Sequence, residues 1–176
     1  PNDARHLSFQ ELMNNDGDHR PVAIDPAEDI AVLQYTGGTT GVSKGAMLTH
    51  GALYINTQQT TLWMPGHVPG EERMMGILPF FHVFAMTVVM NQSIYWGSEI
   101  IIHPRFELEP VLKDIAKKKP TMLPGVPTMY AAIVNHPKAA EVDLTSLKFC
   151  GSGGAPLPTE LLNRFQQATG CRLVEG

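Results

Sequence analysis

Ile30–Pro104 is a 75-residue stretch with only five charged side chains, Lys44, Glu71, Glu72, Arg73 and Glu99, whereas Pro1–Asp29 holds nine. A stretch so poor in charge has to be covered, either by protein or by lipid. The best candidate span, Gly76–Ser98, is interrupted by Pro79, His82, Asn91, Gln92 and Ser93. Its apolar run Phe80–Met90 is about half the ~20 residues that a membrane helix requires. It reads as a core helix, and no transmembrane segment is expected. The 176 residues can bury a substantial core, and 43% hydrophobic against 17% charged side chains excludes a disordered chain. The net charge of −4 excludes a basic surface that follows a phosphate backbone, so no nucleic-acid partner is expected. No HExxH occurs among the seven histidines, and no metal-ligating residue is assigned. Cys150 and Cys171 form neither a CxxC motif nor a disulfide framework, which points to a reducing compartment. The chain begins at Pro1 without Met or signal peptide; with its charge-poor middle, this suggests a piece of a longer protein.

Pro1–Asp29 reads as a polar linker with one helical stretch over Ser8–Asn14. From Ile30 to Gly176 strands and helices alternate. Strands are expected at Ile30–Thr36, Lys44–Leu48, Arg73–Leu78, Ser98–Ile102, Thr121–Leu123, Leu147–Gly151 and Arg172–Glu175. Helices are expected at Ala52–Trp63 behind a Thr49 cap, Phe81–Trp96, Glu107–Lys119, Pro127–Asn135 and Pro158–Thr169. In Glu107–Lys119 the residues Leu108, Val111, Leu112, Ile115 and Ala116 form one apolar stripe. Lys117–Lys119 closes this helix in the sense its dipole favours, which explains the triplet without a functional basic patch. The alternation predicts an α/β fold, a mostly parallel sheet with helices on both faces. Ligands in such sheets lie beyond the carboxyl ends of the strands. Thr36–Lys44, Pro79–His82 and Gly151–Pro156 all follow predicted strands, and a parallel sheet would bring them to one edge.

The first of these loops reads Tyr35-Thr36-Gly37-Gly38-Thr39-Thr40-Gly41-Val42-Ser43-Lys44-Gly45. Its glycines let backbone amides converge on an anion, its hydroxyls add donors without bulk, and Lys44 adds positive charge. The pattern suits a polyphosphate. It is not a Walker A loop, because Val42-Ser43 precede Lys44, and no GxGxxG is present. The short strand that follows suggests a hairpin able to clamp a ligand. The loop Cys150-Gly151-Ser152-Gly153-Gly154-Ala155-Pro156 has small residues on which a flat ring could lie. A serine-hydrolase elbow is disfavoured there, since Cys150 replaces the first glycine and Pro156 delays the helix. His82 ends a buried strand. A core role and a functional role are both open for it on local chemistry, as they are for Val126–Tyr130.

Tyr35–Gly45 closely resembles the phosphate-binding signature of the adenylate-forming acyl-CoA synthetases. Leu78-Pro79-Phe80-Phe81-His82-Val83 resembles that family's aromatic-His segment, Pro124–Tyr130 its strand-to-helix turn, and Gly153-Gly154-Ala155-Pro156-Leu157 its adenine-side loop. Order and spacing hold from about Asp29 to Gly176, so residues 30–176 are expected to form the ATP/AMP-binding subdomain, with 1–29 peripheral. The details look most like the bacterial long-chain fatty-acid–CoA ligases.

The resemblance implies that a carboxylate attacks ATP to give acyl-AMP and pyrophosphate, and that coenzyme A then takes the acyl group. It implies that Thr36, Gly37, Gly38, Thr39, Thr40, Gly41 and Lys44 hold the phosphates, and that Gly153, Gly154, Ala155 and Pro156 flank the adenine. His82 would stand near the reacting carboxylate, with Lys44 as the second catalytic group. Val126, Thr128 and Tyr130 would line the acyl tunnel. A Mg²⁺-holding glutamate is expected just beyond Gly176, and the family's C-terminal domain is absent, so the chain alone is expected to be inactive. Expected partners are a fatty acid, ATP and coenzyme A, in the cytoplasm, with peripheral contact at the inner membrane face and self-association through exposed apolar surface. An aryl- or amino-acid ligase, or a nucleotide-binding NTPase without an acyl substrate, remain the competing readings.

Overall fold

The computed structural model describes residues 8–18, 21–36, 43–64, 66–137 and 141–176. A short helix α1 (Phe9–Met13) is held by a capping box, in which Ser8 Oγ accepts from the Glu11 amide and Glu11 reaches back to the Ser8 amide. Strands β1 (Ile30–Thr36) and β2 (Lys44–Thr49) pair antiparallel, with Thr36 opposite Lys44. Helix α2 (His50–Trp63) follows immediately, and Thr49 Oγ1 caps it by accepting from the Ala52 amide at 3.2 Å. The remaining strands are β3 (Arg73–Gly76), β4 (Glu99–Ile102), β5 (Met122–Gly125), β6 (Phe149–Ser152) and β7 (Arg172–Glu175). They form one parallel sheet in the order β4-β3-β5-β6-β7.

Alternate strand residues enter opposite layers, as the two-residue strand period requires. Met74, Ile100, Met122 and Phe149 meet Met64 at the end of α2 and Ala85, Val89 and Trp96 of a helical rod. That rod comprises α3 (Val83–Ala85), a π-helical stretch (Met86–Asn91) and α4 (Gln92–Trp96). Met75, Ile101, Leu123, Cys150 and Leu173 face the other way. They pack on α5 (Leu108–Lys118), α6 (Pro127–Asn135) and α7 (Thr159–Thr169). Both faces of the sheet are therefore covered, which accounts for the low charge of its strands. In α5 Val111, Leu112 and Ile115 of the predicted stripe are buried and Leu108 packs half-buried beside them, whereas Ala116 is exposed. Lys118 and Lys119 beyond it pair with Asp114 and Asp143.

Three expectations need correction. Strands β1 and β2 do not join the parallel sheet but form an antiparallel sheet of their own, and residues 37–42 between them lie outside the described residues. The Phe81–Trp96 helix begins two residues later than the periodicity suggests and is interrupted by π-helical turns. A π stretch is a common feature near functional sites. Here it buries Met86, Thr87 and Val89 together. Strand β3 likewise stops at Gly76, before the expected Leu78, and Phe80 folds back over it. A Cβ on Gly76 would lie 3.3 Å from the Phe80 ring and 2.9 Å from Ile100 Cγ2. No helix among the described residues is long and apolar enough to cross a membrane.

Candidate nucleotide and acyl site

The order β4-β3-β5 places a topological switch point between β3 and β5: the chain leaves β3 for one neighbour and later returns on its other side. Crevices form where successive crossovers diverge in this way. The segment after β3 carries His82, and the turn after β5 carries Val126. The end of β6 is drawn to the same place, since the Gly153 amide donates to Gly125 O at 3.1 Å.

Two glycines let these segments touch. A Cβ on Gly153 would lie 3.1 Å from the Phe84 ring, so that ring rests on bare backbone. Gly154 has φ +80, a conformation that disfavours other residues, and a Cβ there would contact Val126 Cγ1 at 3.6 Å. Phe84 from the segment after β3 and Val126 from the turn after β5 thus flank the glycine pair after β6. Gly153 is buried, whereas Gly154, Ala155 and Pro156 form an exposed lip.

His82 is exposed and serves as N-cap of α3, its Nδ1 accepting from the Phe84 amide at 3.2 Å. A ring nitrogen that accepts carries no proton, so the neutral imidazole keeps its hydrogen on Nε2, available as a donor. Backbone geometry sets that tautomer, so it comes with the fold.

Val126 is half-buried and Thr128 exposed, both at the start of α6, where Pro127 occupies the first helical turn. Tyr130 is placed otherwise than in a tunnel wall. It is fully buried in the layer under α6 and α7, its ring edge-on to Phe165 with centroids 5.0 Å apart. Its hydroxyl lies 2.7 Å from Leu123 O and 2.8 Å from Gly151 O. Burial pushes this phenol well above its ordinary value, so it stays a neutral donor.

Lys44 is exposed on β2 opposite Thr36. Tyr35 covers Gly45, where a Cβ would lie 3.4 Å from the tyrosine ring. Gly37, Gly38, Thr39, Thr40 and Gly41 lie outside the described residues, as does the side chain of Thr36.

A cavity of about 580 Å³ opens on the α2 side of β6 and β7. Trp63, Met64, Phe84, Val88 and Phe149 give it an apolar wall; Asn56 and Gln59 of α2 and Arg172 of β7 add polar groups. Its size falls within the range of small-molecule sites. Ser152 also lines it, and its buried Oγ has no hydrogen-bond partner among the described residues. Sequence reasoning named none of these wall residues. The α2 positions read only as a helix, and Ser152 only as a rejected nucleophile.

At the opposite, amino-terminal edge of the sheet, Glu72 is 1% exposed. Burial raises its carboxyl, but hydrogen bonds from Thr121, the Val68 amide and Lys148 outweigh that and hold it below its ordinary value. Lys148 Nζ stands 3.1 Å away.

Comparison with known proteins adds to this geometry. The family described as AMP-binding enzyme matches residues 2–176. The long-chain-fatty-acid–CoA ligase of Bacillus subtilis is 51% identical over 153 residues, covering 87% of this chain and 27% of that protein. A feruloyl-CoA synthase of an Amycolatopsis species is 37% identical over 156 residues, covering 89% of this chain and 30% of that protein. The crystal structure of a long-chain-fatty-acid–CoA ligase (FadD1) from Archaeoglobus fulgidus superposes with a TM-score of 0.80 at 30% identity, over 96% of this chain and 35% of that one. The chain thus spans about three tenths of the length of the two curated relatives.

Proposed function

The chain belongs to the AMP-binding, adenylate-forming acyl-CoA ligases, and from that premise we propose that the native-length protein is a fatty-acid–CoA ligase. The observation that carries the reading is the meeting of His82's segment, the Val126 turn and the Gly153–Gly154 pair at one sheet edge, beside an apolar cavity. A fatty carboxylate attacks the α-phosphorus of ATP, forming an acyl–O–P bond as pyrophosphate leaves. The thiolate of coenzyme A then attacks the acyl carbon and displaces AMP. Much of the catalysis in such a sequence is positioning and stabilisation of moving charge.

In this reading the Thr36–Lys44 segment holds the β- and γ-phosphates, with Thr36, Gly37, Gly38, Thr39, Thr40, Gly41 and Lys44 as its contacts. The lip Gly153–Pro156 flanks the adenine. His82 offers Nε2–H to the reacting carboxylate, and Lys44 balances charge on the phosphates. The acyl chain enters the cavity against Trp63, Phe84 and Val88, and Val126 and Thr128, at the start of α6, line the rest of its path. Tyr130 acts behind the wall, through its hydrogen bond to Gly151 O. Mg²⁺ is part of the proposed chemistry, but no group of three His, Cys, Asp or Glu among the described residues could hold it. Because the chain covers 27% of the B. subtilis relative, we take it to be inactive alone. The proposed setting is the cytoplasm, with peripheral contact at the inner membrane face and self-association; fractionation and light scattering test these.

Carboxylate-dependent ATP–pyrophosphate exchange by the native-length protein tests the reading, with acetate, medium- and long-chain fatty acids, cinnamates and amino acids as substrates. Exchange only with fatty acids supports it. Exchange with cinnamates alone supports a second reading, an aryl-acid ligase, which the 37% identity to a feruloyl-CoA synthase favours. ATP hydrolysis indifferent to any acid overturns both.

A further inference from the structure

Cys150 in β6 and Cys171 just before β7 are both free, and their sulfurs lie 3.4 Å apart inside the core. Cys150 is fully buried in β6 and Cys171 is 3% exposed immediately before β7. The adenylation chemistry proposed above uses neither thiol. A disulfide requires a sulfur–sulfur distance of ~2.05 Å, so the pair is about 1.4 Å from bonding distance, with both side chains already directed at each other.

We propose that Cys150 and Cys171 are a modification site, oxidised by a small peroxide to a reversible disulfide that disturbs the Gly153–Gly154 lip. Their surroundings favour this. Cys171 follows Gly170, the left-handed turn that ends α7, and keeps 3% of its surface exposed where Cys150 keeps none. Local opening at such a helix-to-strand turn admits a small oxidant more readily than the interior of a strand does. Burial pushes the Cys150 thiol up, whereas the sulfur–sulfur hydrogen bond holds Cys171 below its ordinary value, so Cys171 loses its proton the more readily of the two.

The Cys171 thiolate attacks one oxygen of hydrogen peroxide. The O–O bond breaks, leaving a sulfenic acid on Cys171 and a hydroxide that takes up a proton. The Cys150 sulfur then attacks the Cys171 sulfur. The S–O bond breaks, and hydroxide leaves as water with the Cys150 proton. Two thiols lose two electrons in total, and one peroxide becomes two waters.

The consequence for the lip follows from chain connectivity. Cys150 is three residues before Gly153, and the intervening Gly151 carbonyl is held by Tyr130. The Gly176 amide donates to Ser152 O at 2.9 Å, tying β7 to the same segment. Drawing Cys171 toward Cys150 shifts β7 against β6 and strains both links.

The experiment treats the native-length protein with hydrogen peroxide, alkylates it under denaturing conditions and maps its peptides by mass spectrometry, beside hydrogen exchange on the folded protein. The expected result is a Cys150–Cys171 cross-linked peptide that dithiothreitol dissolves, with severalfold faster exchange at the Gly153 amide. The Cys171→Ser variant is expected to keep slow exchange under peroxide. Recovery of both thiols as alkylated peptides, or sulfinic and sulfonic acids on separate cysteines, overturns the proposal. A cross-link without change at Gly153 overturns its effect on the lip. These readouts do not involve adenylation, so failure of the ligase reading is detected separately, in the exchange assay.

Discussion

The hydroxyl of Tyr130 lies 2.8 Å from the carbonyl oxygen of Gly151, two residues before the glycine that carries the Phe84 ring. It also lies 2.7 Å from Leu123 O, so one phenol braces the carboxyl ends of β5 and β6. Tyr130→Phe keeps the ring on Phe165 and removes only the donor. It is expected to lower stability by about 1–2 kcal/mol, the usual consequence of leaving a buried acceptor unpaired. A urea titration checks this, and Gly153 amide exchange should accelerate more than exchange in α5.

The packing of Phe84 on Gly153 makes a coupled prediction. Gly153→Ala inserts a Cβ 3.1 Å from the ring and should reduce carboxylate-dependent exchange roughly tenfold, about 1.4 kcal/mol of lost transition-state stabilisation. Phe84→Leu in the same chain opens space and should restore part of that loss. A double-mutant cycle reads the coupling, and strict additivity would count against the contact.

Gly154 is constrained by its backbone, since its φ is +80. Gly154→Ala is expected to destabilise by about 1 kcal/mol through left-handed strain alone. Thermal unfolding measures it. No change would mean that the lip relaxes to negative φ.

His82 has two separable parts, the Nδ1 cap on the Phe84 amide and the outward Nε2–H. In His82→Asn the side-chain oxygen can still cap, and in His82→Ala nothing can. The two variants are expected to differ in stability by about 1 kcal/mol yet to show similarly reduced exchange with fatty acid. Full activity in His82→Asn would remove the imidazole from the proposed chemistry.

Glu72 and Lys148 predict an acid-sensitive contribution. The Glu72 carboxyl titrates below its ordinary value of 4.5 when folded. Its stabilising contribution is thus present above that ordinary value and fades as pH falls through the lower folded one. Lys148 is half-exposed, so Lys148→Ala should cost about 1–3 kcal/mol at neutral pH, less than a fully buried pair would lose. Urea midpoints across an acid series should show a shallower acid slope for the variant than for the parent.

Much of this architecture was legible along the chain. Thr49 marked the start of α2, Pro127 that of α6, Gly170 the end of α7, and the apolar stripe Leu108, Val111, Leu112 and Ile115 the packed face of α5. Each signal acts within a turn or two: a side chain caps an amide three residues on, or a ring fixes one φ. The glycine-rich loops and His82 were equally visible as candidates, because their residue types limit what chemistry they can support. That Ile30–Thr36 pairs antiparallel with Lys44–Thr49, outside the parallel sheet, was not legible, because an isolated strand does not reveal its partner. The length of β3 was overestimated for a related reason, since Gly76 is crowded both by the returning Phe80 ring and by Ile100, 24 positions away.

By itself, then, the sequence determined the kinds and approximate limits of the elements, their alternation into a two-faced parallel sheet, and the loops rich enough in glycine, hydroxyl and imidazole to carry chemistry. Only the tertiary structure decided that β3 lies between β4 and β5, that Phe84 and Val126 close on Gly153 and Gly154, and that Trp63 and Ser152 share a cavity. It also decided that Glu72 meets Lys148 across 76 residues and that the two cysteines touch across 21. The physical reason is range. Steric and capping preferences are settled within a few residues, whereas strand order and the partners of buried groups emerge only when distant segments compete for the same covered surface.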